Sequence, residues 1–252
     1  MQLDLAFFAV AIPAVLIPAA SKGGFGGGAG FVSAPLLALA MPPAQAVGLL
    51  LPLLMLMLMD VLSLRPYWRR WDWRHSALLM LGGVAGTAIG WAIFGAISAD
   101  GVRLMVGLSA LGFVGLQVAR SFGRLRPPDH DPGPAKGLAL GSVTGLSSFI
   151  SHAGGPPASM YLLGVGLDRT TYQASMVLVF WWLNLIKLPA YVELGMLNRE
   201  LVVPLLILAP IAVAGVHLGV WAHRRVSDDF FFRLTYSLLA VAGAKLVWDS
   251  LT

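Results

Sequence analysis

The stretch that decides the fold is SKGGFGGG, residues 21–28, in the middle of an apolar region that extends from Leu3 to Ala40. As one helix, this region would be about 57 Å long, roughly twice the thickness of the hydrocarbon core of a membrane. Glycine destabilises helices, so the stretch predicts a helix pair or hairpin that is broken near its middle. Non-helical backbone at membrane depth is tolerated only where it is buried in protein or lines a cavity.

A second broken region and several shorter apolar runs fill the rest of the chain. The region from Gly137 to Gly166 is interrupted by SHAGGPP, residues 151–157. Each shorter run has the length of one membrane crossing; the runs are 46–64, 76–97, 102–119, 172–192, 201–222 and 231–248. Of the 252 residues, 58% are hydrophobic and 12% are charged, whereas about 25% are charged in a typical soluble domain. The chain is therefore predicted to be an all-α polytopic membrane protein.

The two halves of the chain repeat one pattern. Gly26 and Gly27 recur as Gly154 and Gly155, in each case inside a break, and further matches follow in the same order at a nearly constant offset. These matches are Gln45-Ala46 with Gln173-Ala174, Ala85-Gly86 with Ala214-Gly215, and Ser98 with Ser227. A constant offset predicts an internal duplication. We predict a first repeat at 1–126, a linker at 127–135 and a second repeat at 136–252, each repeat with a broken helix or hairpin followed by three transmembrane helices.

The basic residues predict the orientation of these repeats. They cluster in three regions between the apolar runs, and such clusters favour the cytoplasmic side of an inner membrane. If all three are cytoplasmic, each broken region must begin and end on one side, the first outside and the second inside. The repeats are then inverted and both termini face the periplasm, an arrangement typical of secondary transporters, whose substrate site lies at the breaks. The clusters are Arg65, Arg69, Arg70 and Arg74; Arg120, Arg124, Arg126 and Lys136; and Arg224, Arg225 and Arg233.

The ionisable residues inside the apolar segments predict an anionic substrate. They are Lys22, His152, Lys187 and His217, whereas every Asp and Glu lies in a loop or near the end of a run. An unpaired cation in a membrane is costly, so a bound anion would supply its counter-charge. Free N–H groups and the helix dipole also favour an anion where a helix begins after a break. The predicted substrate-binding residues are Ser21, Lys22, Gly24, Gly26, Gly27, Gly28, Ser151, His152, Gly154, Gly155, Asn184 and Lys187.

Some of the polar and glycine positions also have a structural interpretation. Lys187 lies in the outer third of its run, so snorkelling to the surface is the alternative to a role in the site. His217 is expected to be a hydrogen-bonded core residue. His152 is expected to gain a proton at mildly acidic pH and to strengthen anion binding there. The repeated Gly-x-x-x-Gly patterns are interpreted as packing faces between helices; they are Gly82, Gly86 and Gly90 in the first half and Gly215 and Gly219 in the second.

Other functional classes are excluded by what the sequence contains. It has no cysteine, so neither disulfides nor Cys-ligated metals are predicted. We find no His-Glu-x-x-His motif, no acidic pair in a membrane core and no Ser-His-Asp set, so neither an enzyme nor a metal or cofactor is predicted. The glycine-rich stretch lies in a membrane helix break rather than between a strand and a helix, so it is not a nucleotide-binding loop. Because the basic residues lie in the loops, no nucleic-acid partner is predicted.

The sequence resembles the TauE/SafE family of sulfite exporters and related permeases over nearly its whole length. The resemblance rests on residues 21–30 followed by 35–37, on residues 152–156 followed by 161–163, and on a Gly-x-x-x-Gly then Ser-x-Asp pattern near the end of each half. It implies secondary transport of a small sulfur oxyanion, such as sulfite, sulfoacetate or another organosulfonate, by alternating access. The resemblance does not determine whether transport is coupled to a proton, in which direction it runs, or whether the protein forms a homo-oligomer. An anion channel of the same fold and a membrane scaffold are the alternatives.

Overall fold

The computed structural model describes residues 4–24, 30–63, 68–121, 132–222 and 227–252. Within these ranges the chain is helical and has no β-strand. Two short 3₁₀ helices, Gly30–Val32 and Arg199–Leu201, accompany the α-helices. The α-helices are α1 (Leu5–Gly24), α2 (Ser33–Leu37), α3 (Pro43–Ser63), α4 (Trp73–Ala96), α5 (Ala99–Ser121), α6 (Gly133–Ser151), α7 (Gly155–Val165), α8 (Arg169–Glu193), α9 (Val202–Ala222) and α10 (Asp228–Leu251).

Five of the described helices are long and apolar enough to cross a membrane: Leu5–Gly23, Trp73–Ala96, Ala99–Ala119, Thr170–Glu193 and Arg199–Gly219. The predicted runs 76–97, 102–119, 172–192 and 201–222 fall in the last four of these helices. The run 46–64 lies in α3, whose described apolar part, Pro43–Met57, is shorter than a full crossing. The run 231–248 lies in α10, which is not among the five. The prediction of an all-α protein with several membrane-length helices is confirmed.

Aspartate side chains cap the starts of two long helices, α4 and α8. The Asp72 carboxylate accepts from the backbone N–H of His75 at 2.8 Å and so caps the start of α4. At the start of α8, Asp168 accepts from the backbone N–H groups of Thr170 and Thr171. The pKa of the Asp168 carboxyl is lowered, first by the hydrogen bond from the Thr171 hydroxyl and then by these N–H groups. Both caps satisfy amides that have no partner inside their helix.

Close helix pairs form the body of the protein. The most extensive contacts join α4 with α6, α1 with α9, and α5 with α10. Helices α3 and α8 contact each other, and in addition α3 contacts α9 and α8 contacts α4. These contacts place the ends of α1 and α6, where the two breaks begin, against helices from the opposite half of the chain.

Glycines set the separation of two of these pairs. A Cβ on Gly86 would collide with the Ser142 carbonyl of α6, and one on Gly219 would collide with the Ala20 carbonyl of α1. Because only a hydrogen fits at such positions, the backbones of α4 and α6, and of α9 and α1, approach closely. The interpretation of the two Gly-x-x-x-Gly patterns as packing faces is confirmed.

The second break is short and well defined. Helix α6 ends at Ser151 and α7 begins at Gly155, so only residues 152–154 separate them. These residues lie inside the predicted interruption at 151–157, whose other residues are helical, so the second break is shorter than predicted. Of the predicted linker 127–135, residues 127–131 lie outside the described residues, and α6 begins at Gly133.

The first break begins later than predicted. Helix α1 continues through Ser21 to Gly24, so the expectation of a break from residue 21 is wrong. The close approach of Gly23 to the Val216 carbonyl of α9 explains the difference, because this contact holds the last turn of α1 against a neighbour. Residues 25–29, which include the predicted ligands Gly26, Gly27 and Gly28, lie outside the described residues.

Candidate functional site

His152 forms the turn that ends α6. It has the left-handed conformation, with φ of 55°, which a residue other than glycine adopts only at some cost in strain. Its backbone N–H donates to the Ser148 carbonyl at 3.1 Å, and the next N–H, of Ala153, donates to the Ser147 carbonyl at 3.2 Å. These bonds close the helix at its C-terminus and turn the chain toward α7. The side chain of His152 is buried, with 6% of the residue exposed.

The imidazole of His152 connects three helices. Its Nε2 lies 3.0 Å from the Val47 carbonyl of α3, and its Nδ1 lies 3.4 Å from Nζ of Lys187 on α8. A carbonyl only accepts and an ammonium only donates, so the ring carries its proton on Nε2 and accepts at Nδ1. A second ring proton would face the ammonium. The expectation that His152 itself gains the proton at mildly acidic pH therefore conflicts with this geometry.

Lys187 is completely buried, with 0% of the residue exposed. Its ammonium donates to the Ser148 carbonyl and to the Ser148 hydroxyl, both at 2.9 Å, and to Nδ1 of His152. The carbonyl belongs to the last turn of α6, the negative end of the helix dipole, which attracts a cation. The snorkelling alternative is therefore wrong: Lys187 points inward to the second break.

Lys22 brings a second cation to the same region from the end of α1. Its side chain is only partly buried, and its ammonium is close enough to His152 to interact with it electrostatically. Nζ lies 3.7 Å from the position that a Cβ on Gly30 would take, so the side chain extends across the start of the segment after the first break. The structure thus gathers Lys22, His152 and Lys187, which are far apart in the sequence.

No acidic side chain accompanies these cations in the described part of the chain. The ion pairs there join Asp72 with His75, Asp100 with Arg103 and Asp249 with Lys245. The last two pairs are on the exposed ends of α5 and α10. Neither Lys22 nor Lys187 is among them, so the positive charge at the break is not neutralised by a described carboxylate.

Two backbone donors are free at the start of α7. Within the described ranges, the backbone N–H groups of Gly154 and Gly155 donate no hydrogen bond to a loop or to a helix end. The first residue of a helix also has no acceptor within its own helix. The following Pro156 and Pro157 have no N–H, so the free donors are confined to the glycine pair. A Cβ on Gly155 would meet nothing within 4 Å. Open space therefore adjoins Gly155, whereas Gly154 packs against Thr144 and Ser148.

Asn184 and Ser151 are buried near this turn, and Ser21 is buried at the end of α1. Asn184 is 2% exposed and lies three residues before Lys187, on the same face of α8. Its amide takes part in no hydrogen bond recorded for the described residues. The Ser151 hydroxyl accepts from the hydroxyl of Ser109 on α5 at 2.8 Å, and Ser21 is fully buried one position before Lys22.

Sequence reasoning missed some members of this cluster and misplaced one. Ser148 provides two of the three acceptors of Lys187, and its position four residues before His152 could have indicated this. Val47 contributes a backbone carbonyl, for which the sequence carries no signal. His217 is exposed, so the expectation that it lies in the core is wrong.

A surface cavity of about 420 Å³ lies away from this cluster. It is lined by Asp4, Ala6, Phe7, Val10, Leu39, Ala40, Met41 and Pro42. Its charged lining residue is an aspartate, which would repel an anion. The cluster at the second break therefore remains the candidate anion site.

Comparison with known proteins assigns the chain to a family. The family described as "Sulfite exporter TauE/SafE" matches residues 11–246, nearly the whole chain. No curated protein and no solved structure gives a significant match. With its membrane-length helices, the chain is thus a multi-pass membrane protein that belongs to the TauE/SafE sulfite exporter family of transporters.

Proposed function

We propose that this protein is a secondary transporter that binds a small sulfur oxyanion, such as sulfite or an organosulfonate, at the second break and moves it across an inner membrane by alternating access. The observation that supports this is the convergence of Lys22, His152 and Lys187 beside free backbone donors, with no described acid among them. The family match makes a sulfur oxyanion the first substrate to test.

The oxyanion would be held by donors of two kinds. The amides of Gly154 and Gly155 and the amide group of Asn184 supply fixed donors, and Lys22 supplies a charged one. Charge-assisted hydrogen bonds are about twice as strong as neutral ones. The ammonium of Lys187 gives its protons to the protein, so it contributes positive charge to the site rather than a direct bond. Such a site selects first for negative charge and then for the shape of the oxyanion.

The helix contacts support inverted repeats at 1–126 and 136–252. Each helix of the first half has a counterpart in the second half: α1 corresponds to α6, α3 to α8, α4 to α9 and α5 to α10. With this correspondence, the α1–α9 contact is equivalent to the α6–α4 contact. The α3–α9 contact is likewise equivalent to the α8–α4 contact, and the α5–α10 and α3–α8 contacts are each equivalent to themselves. Two halves related by a two-fold axis in the membrane plane would produce these pairings, and rocking of such halves gives alternating access.

Anion binding is tested first with the purified protein. Sulfite, sulfate, thiosulfate, taurine, sulfoacetate and simple carboxylates are compared by thermal shift, since a ligand of the folded state raises the unfolding temperature. Lys22→Met should abolish most of the shift. Lys245→Met is the matched control, because Lys245 is an exposed lysine that pairs with Asp249 on α10. If no sulfur oxyanion shifts the native protein more than the carboxylates do, the proposed function is wrong.

Transport kinetics then separate a carrier from an anion channel of the same fold. In proteoliposomes, a carrier shows saturable flux that unlabelled substrate on the opposite side accelerates. A channel shows no such acceleration. Flux without exchange would overturn alternating access and favour the channel.

The periplasmic position of both termini can be tested with single cysteines, because the chain has none of its own. A cysteine at Thr252 should react with a membrane-impermeant maleimide added to spheroplasts. Labelling only after the membrane is permeabilised would contradict the inverted arrangement.

A further inference from the structure

The hydrogen-bond shell of Lys187 suits two protonation states of its amine. A charged ammonium donates three bonds, and the shell provides three acceptors: the Ser148 carbonyl, the Ser148 hydroxyl and Nδ1 of His152. A neutral amine donates two bonds and accepts one. The Ser148 hydroxyl can act as donor or acceptor, so it can donate to the neutral amine while the Ser148 carbonyl and Nδ1 of His152 accept from it. The shell therefore remains fully hydrogen-bonded whether or not the amine carries the extra proton, which a shell of carboxylates would not allow.

Among the described residues, the ionisable groups closest to Lys187 carry no negative charge. His152 contacts it directly, and Lys22 approaches from α1. On α8 itself, the hydroxyl of Tyr191 donates to the Phe149 carbonyl at 2.7 Å. Glu193 is exposed at the end of α8, six positions further along the chain.

The neighbouring helices hold their charged residues far from Lys187. On α3, the backbone of residue 60 is 13 positions beyond Val47, which contacts His152, and 13 positions correspond to about 20 Å along a helix. On α4, Gly83 faces Leu183, so Arg74 and His75 lie roughly 18 Å from the level of Lys187. His75 is paired with Asp72 there. On α7 the ionisable side chain is Tyr161, whose hydroxyl adjoins Gly137 near the start of α6.

We propose that Lys187 takes up the proton that accompanies the transported anion, so that anion and proton bind together. This inference rests on the proposed function of the same site. A buried ammonium without a counter-charge is costly, and the anion at Gly154 and Gly155 would supply that charge. At alkaline pH the amine of the empty site is neutral. When the anion binds, the lone pair of Nζ forms an N–H bond with a proton from the bulk solution, which leaves hydroxide or deprotonated buffer behind, and no protein group loses a proton.

Thermodynamic linkage gives this idea a measurable form. If anion binding favours the protonated amine, then protonation favours anion binding by the same factor. Proton uptake should therefore approach about one per bound anion at alkaline pH and fall toward zero at acidic pH, where the amine is already charged. Over the range of full uptake, affinity should fall about tenfold for each unit of rising pH.

The experiment uses the purified full chain in weakly buffered detergent solution with a pH-sensitive dye. Methanesulfonate and thiosulfate are the probes, because neither changes its own protonation between about pH 5 and about pH 9. Lys187→Arg keeps a permanent positive charge, so it should bind the probe without proton uptake and with an affinity that does not depend on pH. His152→Gln should retain the uptake, and Lys245→Arg, at an exposed lysine, is the matched control.

Each outcome decides between the two proposals. Binding without proton uptake at any pH would overturn the role of Lys187 and leave the proposed function intact. Uptake that persists in Lys187→Arg, or that disappears in His152→Gln alone, would also overturn it. If neither probe nor any anion in the thermal screen binds, the proposed function fails and this inference fails with it. Should Lys187→Arg not fold, Lys187→Met replaces it, with weaker binding and no uptake expected.

Discussion

Lys22 and Lys187 lie in the same region but differ in burial and in hydrogen bonding. Lys187 is fully buried, and the protein accepts all three of its protons. Lys22 is partly buried, and no described carboxylate pairs with it. One cation therefore belongs to the structure of the break, while the other has donors left for a ligand. We therefore expect Lys22 to bind the anion directly and Lys187 to act through its charge.

The largest expected effect is that of Lys22→Met on anion affinity. Loss of a charge-assisted hydrogen bond costs about 1.5–3 kcal/mol, roughly a 10- to 150-fold weaker dissociation constant. The dependence of affinity on pH should remain, because Lys187 is still present. Titration calorimetry at two pH values measures both quantities. Unchanged affinity in Lys22→Met would show that the anion lies elsewhere.

Lys187→Met should have a smaller effect on affinity and a different signature. A unit charge that acts through a partly polar medium contributes about 1–2 kcal/mol, or roughly 5- to 30-fold. Here the dependence of affinity on pH should disappear. The same calorimetric titrations provide the measurement. If Lys22→Met and Lys187→Met have identical affinities and identical pH profiles, the distinction between the two lysines is wrong.

The sequence predicted most of the long helices and the second break, because these depend on the lengths of apolar runs and on glycine. The end of α1 depends on a tertiary contact, that of Gly23 with the Val216 carbonyl, and could not be read from local composition. Likewise, the position of Lys187 within its run permitted both an outward and an inward side chain. The acceptors of the last turn of α6 decided between them, and these residues are 39 positions away in the sequence.

The bond between His152 and Val47 is expected to matter less for affinity than for stability. His152→Asn keeps a residue that tolerates the left-handed conformation but does not reach the carbonyl. The loss of one hydrogen bond should lower the free energy of unfolding by about 0.5–1.5 kcal/mol. His152→Val should be worse by a further ~1–3 kcal/mol, because a β-branched residue is strained at φ of 55°. Chemical denaturation measures the difference, and equal stability of the two variants would argue against backbone strain at this turn.

The smallest expected effect on stability is that of Gly155→Ala. Its adjacent glycine in the second break, Gly154, provides the comparison. A Cβ on Gly155 meets nothing within 4 Å, and its φ is not in the left-handed region, so alanine fits without strain. Because alanine has less freedom than glycine in the unfolded chain, this variant should gain about 0.4–1 kcal/mol of stability. Gly154→Ala is the matched control: its Cβ would lie 2.7 Å from the Thr144 carbonyl and 2.9 Å from Cβ of Ser148, so it should lose stability.

The open space beside Gly155 is where we place the anion, so the added methyl group should also weaken anion binding, which the thermal-shift assay measures. If Gly155→Ala binds the anion with full affinity, the anion binds closer to Lys22 and the first break than to the start of α7.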